Sequence, residues 1–187
     1  AIFQSDGQNI VLDFINLKNI TATGSSSFLA NNSVDLGNNT GWTINSRSVQ
    51  NLFWVGGSGN WNDPDHWSLT SGGPGGACIP SGTDNVFFDQ NSFNAPDQFV
   101  ELSDSDLFCR DITWTGVNFT PAFRGGFDPI LHIFGSMTLA PEMFYQFGGL
   151  LKFESQELGR TITSATHLIN KIEFNSSSGG WTLLDSL

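Results

Sequence analysis

The chain has 187 residues, a length that fits one ordinary domain or one stretch of a longer repeat array. Its 18 acidic and 7 basic residues give a formal net charge of −11, and such an acidic surface repels phosphate backbones, which argues against nucleic acid as a partner. With 39% hydrophobic residues the chain can bury a core. No apolar run approaches the roughly 20 residues that a membrane-spanning helix needs, so we expect no membrane span in this segment.

Short strands rather than helices are predicted along the whole chain. The 21 Gly and 7 Pro, with abundant Asn, Ser and Thr, interrupt every stretch that could form an amphipathic helix. Short alternating or β-branched runs, bounded by turn residues, predict strands instead. In chain order these runs are 10–12, 14–20, 41–44, 52–55, 85–88, 98–102, 111–114, 130–134, 137–139, 150–153, 160–163 and 171–174.

A repeated order of motifs narrows the all-β class to one architecture. The run L-K-N-I at 17–20 is followed by G-W-T-I at 41–44, and I-N-K-I at 169–172 is followed by G-W-T-L at 180–183. The first copy holds an additional Ser- and Asn-rich segment, 24–36, which we expect to leave the core as a loop. A strand order that returns with different loop lengths favours a parallel β-solenoid, or β-helix. A β-sandwich is the alternative; it accounts for the number of strands but not for the repeated order.

The most specific pattern lies in the middle of the chain. It reads F-W-V-G-G-S-G-N-W-N-D-P-D-H-W-S over 53–68 and P-S-G-T-D-N-V-F-F-D over 80–89. This pattern resembles a module of very large secreted surface proteins of Bacteroidetes, including gliding-motility adhesins exported by the type IX secretion system. The resemblance implies that 1–50 is the end of one repeat and 51–187 the start and body of the next, with a Trp- and Gly-rich, cap-like segment at 53–89.

The same central segment has a physical interpretation that does not depend on the family. Gly56, Gly57 and Gly59 permit tight turns, and Trp61 and Trp67 are large enough to cover an open end of a β-core. We therefore predict a turn-and-cap device at which a solenoid starts again. Asp84, two residues before the V-F-F run at 86–88, is expected to accept hydrogen bonds from the N–H groups of its own turn and to begin that strand.

The two cysteines, Cys78 and Cys109, lack the C-x-x-C spacing of a zinc or redox site. In a glycine-rich, acidic chain of extracellular type we expect them to form a disulfide. Two separately buried thiols are the alternative.

Acidic residues of the central segment are candidate calcium ligands, because calcium binds six to eight oxygens. The candidates are Asp63, Asp65, Asp84 and Asp89, with the Asn85 amide oxygen beside them. The alternative is that these side chains cap turns, since no EF-hand loop is present. No other cofactor is expected.

Tryptophans of the same region could stack on sugar rings if their faces are exposed; the candidates are Trp54, Trp61, Trp67 and Trp114. The alternative places them in the core or the cap. The three histidines are isolated in sequence, and His132 is expected on the polar face of a strand. No catalytic signature accompanies them.

These observations together predict a non-catalytic structural or adhesive repeat segment rather than an enzyme. The resemblance implies a secreted, cell-surface adhesin used for gliding motility or surface attachment. Its partners would be a surface polysaccharide or substratum and, during export, the type IX translocon and shuttle proteins. The alternatives are a carbohydrate-binding module, which needs exposed aromatic faces, and a polysaccharide-degrading β-helix enzyme, which needs facing carboxylates or a basic cluster.

Overall fold

A computed structural model describes residues 1–13 and 15–187. Its described residues form 21 short strands and a 3-10 turn at Pro64–His66, and nearly all strand pairs are parallel. The fold is a parallel β-solenoid of about eight turns, so the predicted solenoid is confirmed and the β-sandwich alternative is wrong. Phe14, which belongs to the strand predicted at 14–20, lies outside the described residues.

The chain divides into two compact units, Ala1–Val49 and Gln50–Leu187, called unit 1 and unit 2 below. The division lies next to the boundary that we drew between 50 and 51. That the two units belong to consecutive repeats of an adhesin stays a prediction.

Unit 1 is built from strands of two to eight residues that stack in parallel. Strand β1 pairs with β4, β2 pairs with β5, β3 pairs with β5, and β5 pairs with β6. The bounds are β1 Ile2–Gln4, β2 Ile10–Asp13, β3 Asn16–Leu17, β4 Thr21–Thr23, β5 Phe28–Asp35 and β6 Thr43–Ser46. The first two turns therefore repeat a strand, a polar loop and a second strand.

Strand β5 corrects one expectation, because it occupies most of the segment that we predicted to be a loop. Phe28, Ala30 and Val34 of β5 are buried in the small core of unit 1, together with the Ser33 hydroxyl. That hydroxyl accepts a hydrogen bond from the Ile15 N–H and donates one to a backbone carbonyl of the same strand. The polar composition of the segment predicted a loop. The strand nevertheless tolerates a buried Ser, because backbone groups satisfy its hydroxyl.

Ladders of small polar side chains hold the outer surface of unit 1. Asn38 Nδ2 donates to Asn19 Oδ1 at 3.0 Å, and both residues adopt the left-handed conformation, with φ of 57° and 55°. Thr40 Oγ1 donates to Thr21 Oγ1 at 3.1 Å, one turn earlier. These neutral ladders link successive turns without placing like charges above one another.

Unit 2 consists of three parallel sheets that form the three sides of each turn. The first side holds β7 Asn51–Trp54, β10 Asn85–Phe88, β13 Ile112–Trp114, β16 Met137–Thr138, β19 Arg160–Thr163 and β21 Trp181–Leu183. The second side holds β8 Gly59–Asn60, β11 Phe99–Glu101, β14 Ala122–Gly125 and β17 Phe144–Phe147. The third side holds β12 Asp106–Cys109, β15 Ile130–Ile133, β18 Leu150–Phe153 and β20 Ile172–Phe174. Strand β9, Trp67–Ser68, pairs antiparallel with β7.

Strict register between turns places like residues above one another inside unit 2. On the third side Leu107, Leu131 and Leu151 lie opposite one another, and each is at most 1% exposed. Outward positions on the first side carry a matching ladder of Thr113, Thr138 and Thr163. The apolar column removes water from the core, while the neutral column avoids stacking like charges across adjacent strands.

Candidate functional site

The central Trp- and Gly-rich segment covers the free edge of the first strand of unit 2. Strand β9 pairs with that edge, placing Trp67 opposite Trp54. The Trp67 ring meets the Trp54 ring edge-on at 5.2 Å between centroids and the Trp61 ring at 5.1 Å. Trp54 Nε1 donates to the Gly57 carbonyl, and Trp67 Nε1 donates to the Trp61 carbonyl. Strand β9 and these rings close a sheet edge and the core behind it, and this part of the chain is called the cap below; that 53–89 as a whole marks the start of a repeat stays a prediction.

His66 lies between the Trp54 ring and the turn that contains Gly56 and Gly59. Its ring stacks on Trp54 at 4.8 Å with an interplanar angle of 10°, and its Nδ1 lies 2.8 Å from the Val55 carbonyl oxygen. A Cβ at Gly59 would overlap the His66 ring. Glycine is therefore needed at this position for close packing, whereas Gly56 is needed for its positive φ of 82°.

Three of the four candidate calcium ligands accept hydrogen bonds in turns around the cap, and Asp65 lies within the 3-10 turn itself. Asp63 Oδ1 accepts from the Asp65 N–H and caps the 3-10 turn, and Asp89 Oδ1 accepts from the Asn91 N–H. Asp84 is fully buried; its Oδ2 accepts from the Ser81 N–H and hydroxyl just before β10 begins. Within 1–13 and 15–187, no three His, Cys, Asp or Glu side chains converge as a metal site, so the structure does not assemble the predicted calcium cluster.

The expected disulfide is wrong. Cys109 points into the core of unit 2 from strand β12 and is fully buried, whereas Cys78 is exposed in the glycine-rich loop, and both are free thiols. Burial raises the pKa of the Cys109 thiol well above its ordinary value, and the nearby Asp111 and Asp84 carboxylates raise it further. Cys109 therefore packs as a small apolar group, while Cys78 is open to reagents in solvent.

The four tryptophans proposed for sugar stacking are not available to a ligand. Trp54, Trp61 and Trp67 are 0% exposed and Trp114 is 1% exposed. Trp114 stacks on Phe88 at 4.1 Å between ring centroids. All four fill the core or the cap. The sequence could not show this, because alternation along a strand does not distinguish the inside of a solenoid from the outside.

One polar cluster of unit 2 was not predicted from the sequence, because its members come from three different turns. His132 on β15 lies between two carboxylates, with Nδ1 2.5 Å from Glu154 Oε2 and Nε2 3.0 Å from Asp106 Oδ1. Its ring also stacks on Phe108 at 4.8 Å. Glu154 is 3% exposed and also accepts from Asn175 Nδ2. No sequence spacing signals this cluster, since the register of the coils alone brings the residues together.

Basic side chains of unit 2 are paired with neighbouring acids along the outer faces. Arg124 Nε donates to Glu101 Oε2 at 2.6 Å, and its guanidinium lies over the Phe99 ring. Lys152 Nζ lies 3.1 Å from Glu173 Oε1. These pairs join residues on adjacent strands, so each links one turn of the solenoid to the next.

A surface cleft of about 280 Å³ lies beside the cap, in the loop that follows β9. It is lined by Ser68, Leu69, Thr70, Pro74, Gly75, Gly76 and Ala77, none of which is titratable. The Gly76 and Ala77 N–H groups donate to the Pro64 and Trp67 carbonyls and so fasten the loop to the cap. The cleft offers shape and hydrogen bonds, but its lining holds no acid or base that could activate the Ser68 or Thr70 hydroxyl.

Comparisons with known proteins leave this chain without an assigned family. No protein family matches it, and neither a curated protein nor a solved structure is similar to it at a significant level. Within 1–13 and 15–187, no helix has the length and apolar character needed to cross a membrane.

Proposed function

We propose that this chain is a non-catalytic spacer and adhesive segment of a large secreted bacterial cell-surface protein, of the kind that serves gliding motility or surface attachment. The observation that carries the proposal is the register of unit 2, in which buried apolar columns and outward neutral ladders continue from turn to turn. A stack of turns that contact only their neighbours is suited to spacing and presenting surfaces.

The chemistry of the polar groups supports a structural role. The buried Asp84 carboxylate orders the turn before β10, and the Arg124–Glu101 and Lys152–Glu173 pairs join neighbouring turns. The buried Cys109 thiol has a raised pKa, which disfavours the thiolate that a nucleophile needs. These groups stabilise the solenoid rather than face a common cleft.

Adhesion would use aromatic side chains on the outside of the turns in place of the buried tryptophans. Phe127 is 75% exposed and Phe144 is 58% exposed, the latter on strand β17. Rings of this kind can contact the apolar faces of a polysaccharide. A carbohydrate-binding role is thus the second candidate, and it shares these residues with the adhesive role.

The location is tested by labelling cells that express the full-length protein with an antibody raised against this chain. We expect label on intact cells, and we expect inactivation of the type IX translocon to remove it. Label that requires cell permeabilisation would contradict the proposal. Export by another route would retain the surface role and discard the type IX assignment.

The adhesive contact is tested with beads that carry the chain on a polysaccharide-coated surface. We expect the Phe127→Ala/Phe144→Ala variant to reduce bead attachment several-fold while the solenoid stays folded. The matched control is Leu69→Ala, which removes another exposed apolar side chain from the loop beside the cap. Unchanged attachment by the double variant would place adhesion elsewhere, and turnover of any polysaccharide by the chain would overturn the non-catalytic assignment.

A further inference from the structure

The second side of unit 2 presents an outer face in the middle of the solenoid. Strands β11, β14 and β17 form this face in unbroken register, with β8 on one side of them. On the other side lies the segment 164–171, whose His167 ring stacks on Tyr145 of β17. Val100 and Phe123 point into the core and are at most 1% exposed, so the residues that alternate with them point outward.

Two exposed rings lie at opposite ends of this face. Phe144, at the start of β17, is 58% exposed and lies opposite Ala122 of β14. Phe127 follows the end of β14, at the corner with the third side, and is 75% exposed. Its ring packs against Gly148 of the next turn, and Lys171 Nζ lies 5.6 Å from the ring centroid. These contacts fix the position of the Phe127 ring while leaving most of it open.

The separation of the rings sets the size of a ligand that touches both. Phe144 lies opposite Ala122, and Phe127 follows Ala122 by five residues. At about 3.3 Å per residue, the rings are therefore up to roughly 17 Å apart along the strand direction. A single sugar ring is too short for this distance, whereas several units of an extended chain reach both rings.

Polar side chains occupy the interval between the rings. Arg124 of β14 and Gln146 of β17 lie opposite each other at outward positions. Arg124 Nε donates to Glu101 Oε2, and the guanidinium lies 3.3 Å from the Phe99 ring centroid, which fixes its plane. In the described part of the chain, neither the Arg124 Nη groups nor the Gln146 amide has a hydrogen-bond partner. These groups can therefore bond with the hydroxyls of a ligand.

The charges on and around this face favour a neutral ligand. Arg124 is paired with Glu101, and the whole chain carries a net charge of −11, which repels anionic polymers. A protein partner would need a contiguous apolar centre, whereas here polar groups separate the two rings. A β-1,4-linked sugar chain matches this order, because its rings offer apolar C–H faces and its hydroxyls lie along the rim.

We propose that this face binds one neutral, extended β-1,4-linked polysaccharide chain, which runs parallel to β14 and β17 from Phe144 to Phe127. Sugar faces stack on the two rings, and sugar hydroxyls bond to Arg124 and Gln146 between them. The inference rests on the proposed function, because it uses the same two rings, and it adds the chemistry of the polymer and the direction in which it lies.

Calorimetric titration with defined oligosaccharides tests the chemistry of the ligand. The probes are cellohexaose, mannohexaose and chitohexaose, each compared with the disaccharide of the same sugar. We expect at least one hexasaccharide to bind, and its disaccharide to bind roughly tenfold more weakly, because only the longer chain reaches both rings. A chain that binds none of the three, or that binds disaccharide and hexasaccharide equally, overturns the proposal. Tighter binding of a glucuronic acid hexamer would overturn the assignment of a neutral ligand.

Single-ring variants test whether one sugar chain contacts both rings. Phe144→Ala and Phe127→Ala should each lower the affinity for the hexasaccharide to that for the disaccharide, while disaccharide binding changes little. Two independent sites would instead leave a length preference in each variant, and that result contradicts the proposal. Phe99→Leu tests the direction, because a sugar chain along the solenoid axis would follow Phe99 and Phe144. A loss from Phe99→Leu as large as that from Phe144→Ala would overturn the direction.

A glutamine pair tests the polar contact between the rings. Gln146→Ala should weaken hexasaccharide binding several-fold, because the amide no longer bonds to the sugar hydroxyls. Gln8→Ala is the matched control, since it removes another exposed glutamine, in unit 1, and should leave binding unchanged. Equal affinities of the two variants would contradict the role of Gln146.

The outcomes separate this inference from the adhesive role. If bead attachment depends on Phe127 and Phe144 while no hexasaccharide binds, the adhesive role stands and this ligand assignment is wrong. If hexasaccharides bind with the expected length dependence while beads do not attach, the binding face stands and the adhesive role is wrong.

Discussion

Unit 1 and unit 2 are both parallel solenoids, but they fill and fasten their turns differently. In unit 1 the inter-turn hydrogen bonds of Ile15 with Ser33 and of Ile20 with Asn39 span 18 and 19 residues. In unit 2 the Asp111–Ser136 and Ser136–Thr161 contacts both span 25 residues. The longer turn encloses a wider interior, which large aromatic side chains fill.

The difference shows what a solenoid turn needs for stability. Unit 1 has a few buried apolar residues, such as Leu17 and Val34, and depends on ladders of Asn, Ser and Thr. Unit 2 buries continuous apolar columns and a tryptophan cap. Since burial of large apolar side chains is the dominant stabilising term, we expect unit 2 to be the more stable of the two.

The largest loss of stability is expected at the cap. Trp61→Ala should lower the free energy of unfolding of unit 2 by about 3–5 kcal/mol, because it leaves a cavity among aromatic rings. Trp61→Phe is the matched control and should cost less, since the Trp61 Nε1 has no hydrogen-bond partner to lose. Trp42→Ala, at a half-buried position in unit 1, should cost only about 1–2 kcal/mol. Hydrogen exchange measured on individual peptides reports the stability of each unit separately. Equal losses of stability in unit 2 from Trp61→Ala and in unit 1 from Trp42→Ala would contradict the comparison.

The histidine–carboxylate cluster of unit 2 is the next test. His132→Ala should destabilise unit 2 by about 3 kcal/mol, because it removes the imidazole that satisfies the buried Glu154 carboxylate. Lys152→Ala breaks the more exposed pair with Glu173 and should cost less than about 1 kcal/mol. Urea unfolding measures both variants. Similar losses of stability in the two variants would show that the burial of Glu154 does not strengthen its pairing with His132.

A glycine of unit 1 tests how closely its turns approach. Gly24→Ala should cost about 2 kcal/mol, because φ is 107° and the new Cβ would overlap the Ser5 carbonyl one turn earlier. Gly7→Ala is the control: φ is 81° but no atom lies within 4 Å, so about 1 kcal/mol of backbone strain is expected. Hydrogen exchange of unit 1 peptides measures both. Equal costs would mean that the turns separate easily.

A smaller effect is expected in acid. Asp185 accepts hydrogen bonds from the Ser164 and Ala165 N–H groups, which lower the pKa of its carboxyl below the ordinary 3.8. A lowered folded-state pKa gives stability that is present above the ordinary value and is lost as the pH falls through the folded value. Asp185→Asn should therefore weaken the last turn at neutral pH and reduce its loss of protection below about pH 4. If the Asp185→Asn variant loses protection with falling pH as the wild type does, the Asp185 carboxylate does not contribute to the acid sensitivity of the last turn.

Reduction should have the smallest effect on stability. With both cysteines free, a reducing agent should leave the unfolding of either unit unchanged. A thiol reagent should modify Cys78 at once and Cys109 only as unit 2 opens. Stabilisation by oxidation within a single chain would restore the disulfide that the structure contradicts.

Much of the fold was predictable because apolar runs mark inward columns directly. The predicted runs at 85–88 and 150–153 coincide with strands β10 and β18. Strand β5 was missed because Asn and Ser occupy positions that hydrogen-bond to neighbouring turns. Strands β8 and β9 were not separated from the cap, because each has two residues and their positions depend on pairing rather than on side-chain pattern.

The candidate site was less predictable for a different reason. Residue types predicted the turn roles of Asp84 and the glycines, which are local. The burial of Trp114, the separation of Cys78 from Cys109, and the cluster around His132 depend on which turn lies over which. That alignment is set by loop lengths summed along the chain, and small differences in loop length change the partners without changing the strand pattern.

The long loop in the first turn of unit 2 has a consequence for how such a chain can vary. Asn85 bonds to Asn51 across 34 residues, whereas later strand pairs on the same side span 26 residues or fewer, as between Val86 and Ile112 or Ile162 and Leu183, yet the strands keep their register. Doubling a flexible loop costs only about 0.6 kcal/mol in closure entropy. The corners of the turns can therefore gain or lose residues while the core is preserved, so the surface that the chain presents can diversify independently of the scaffold that carries it.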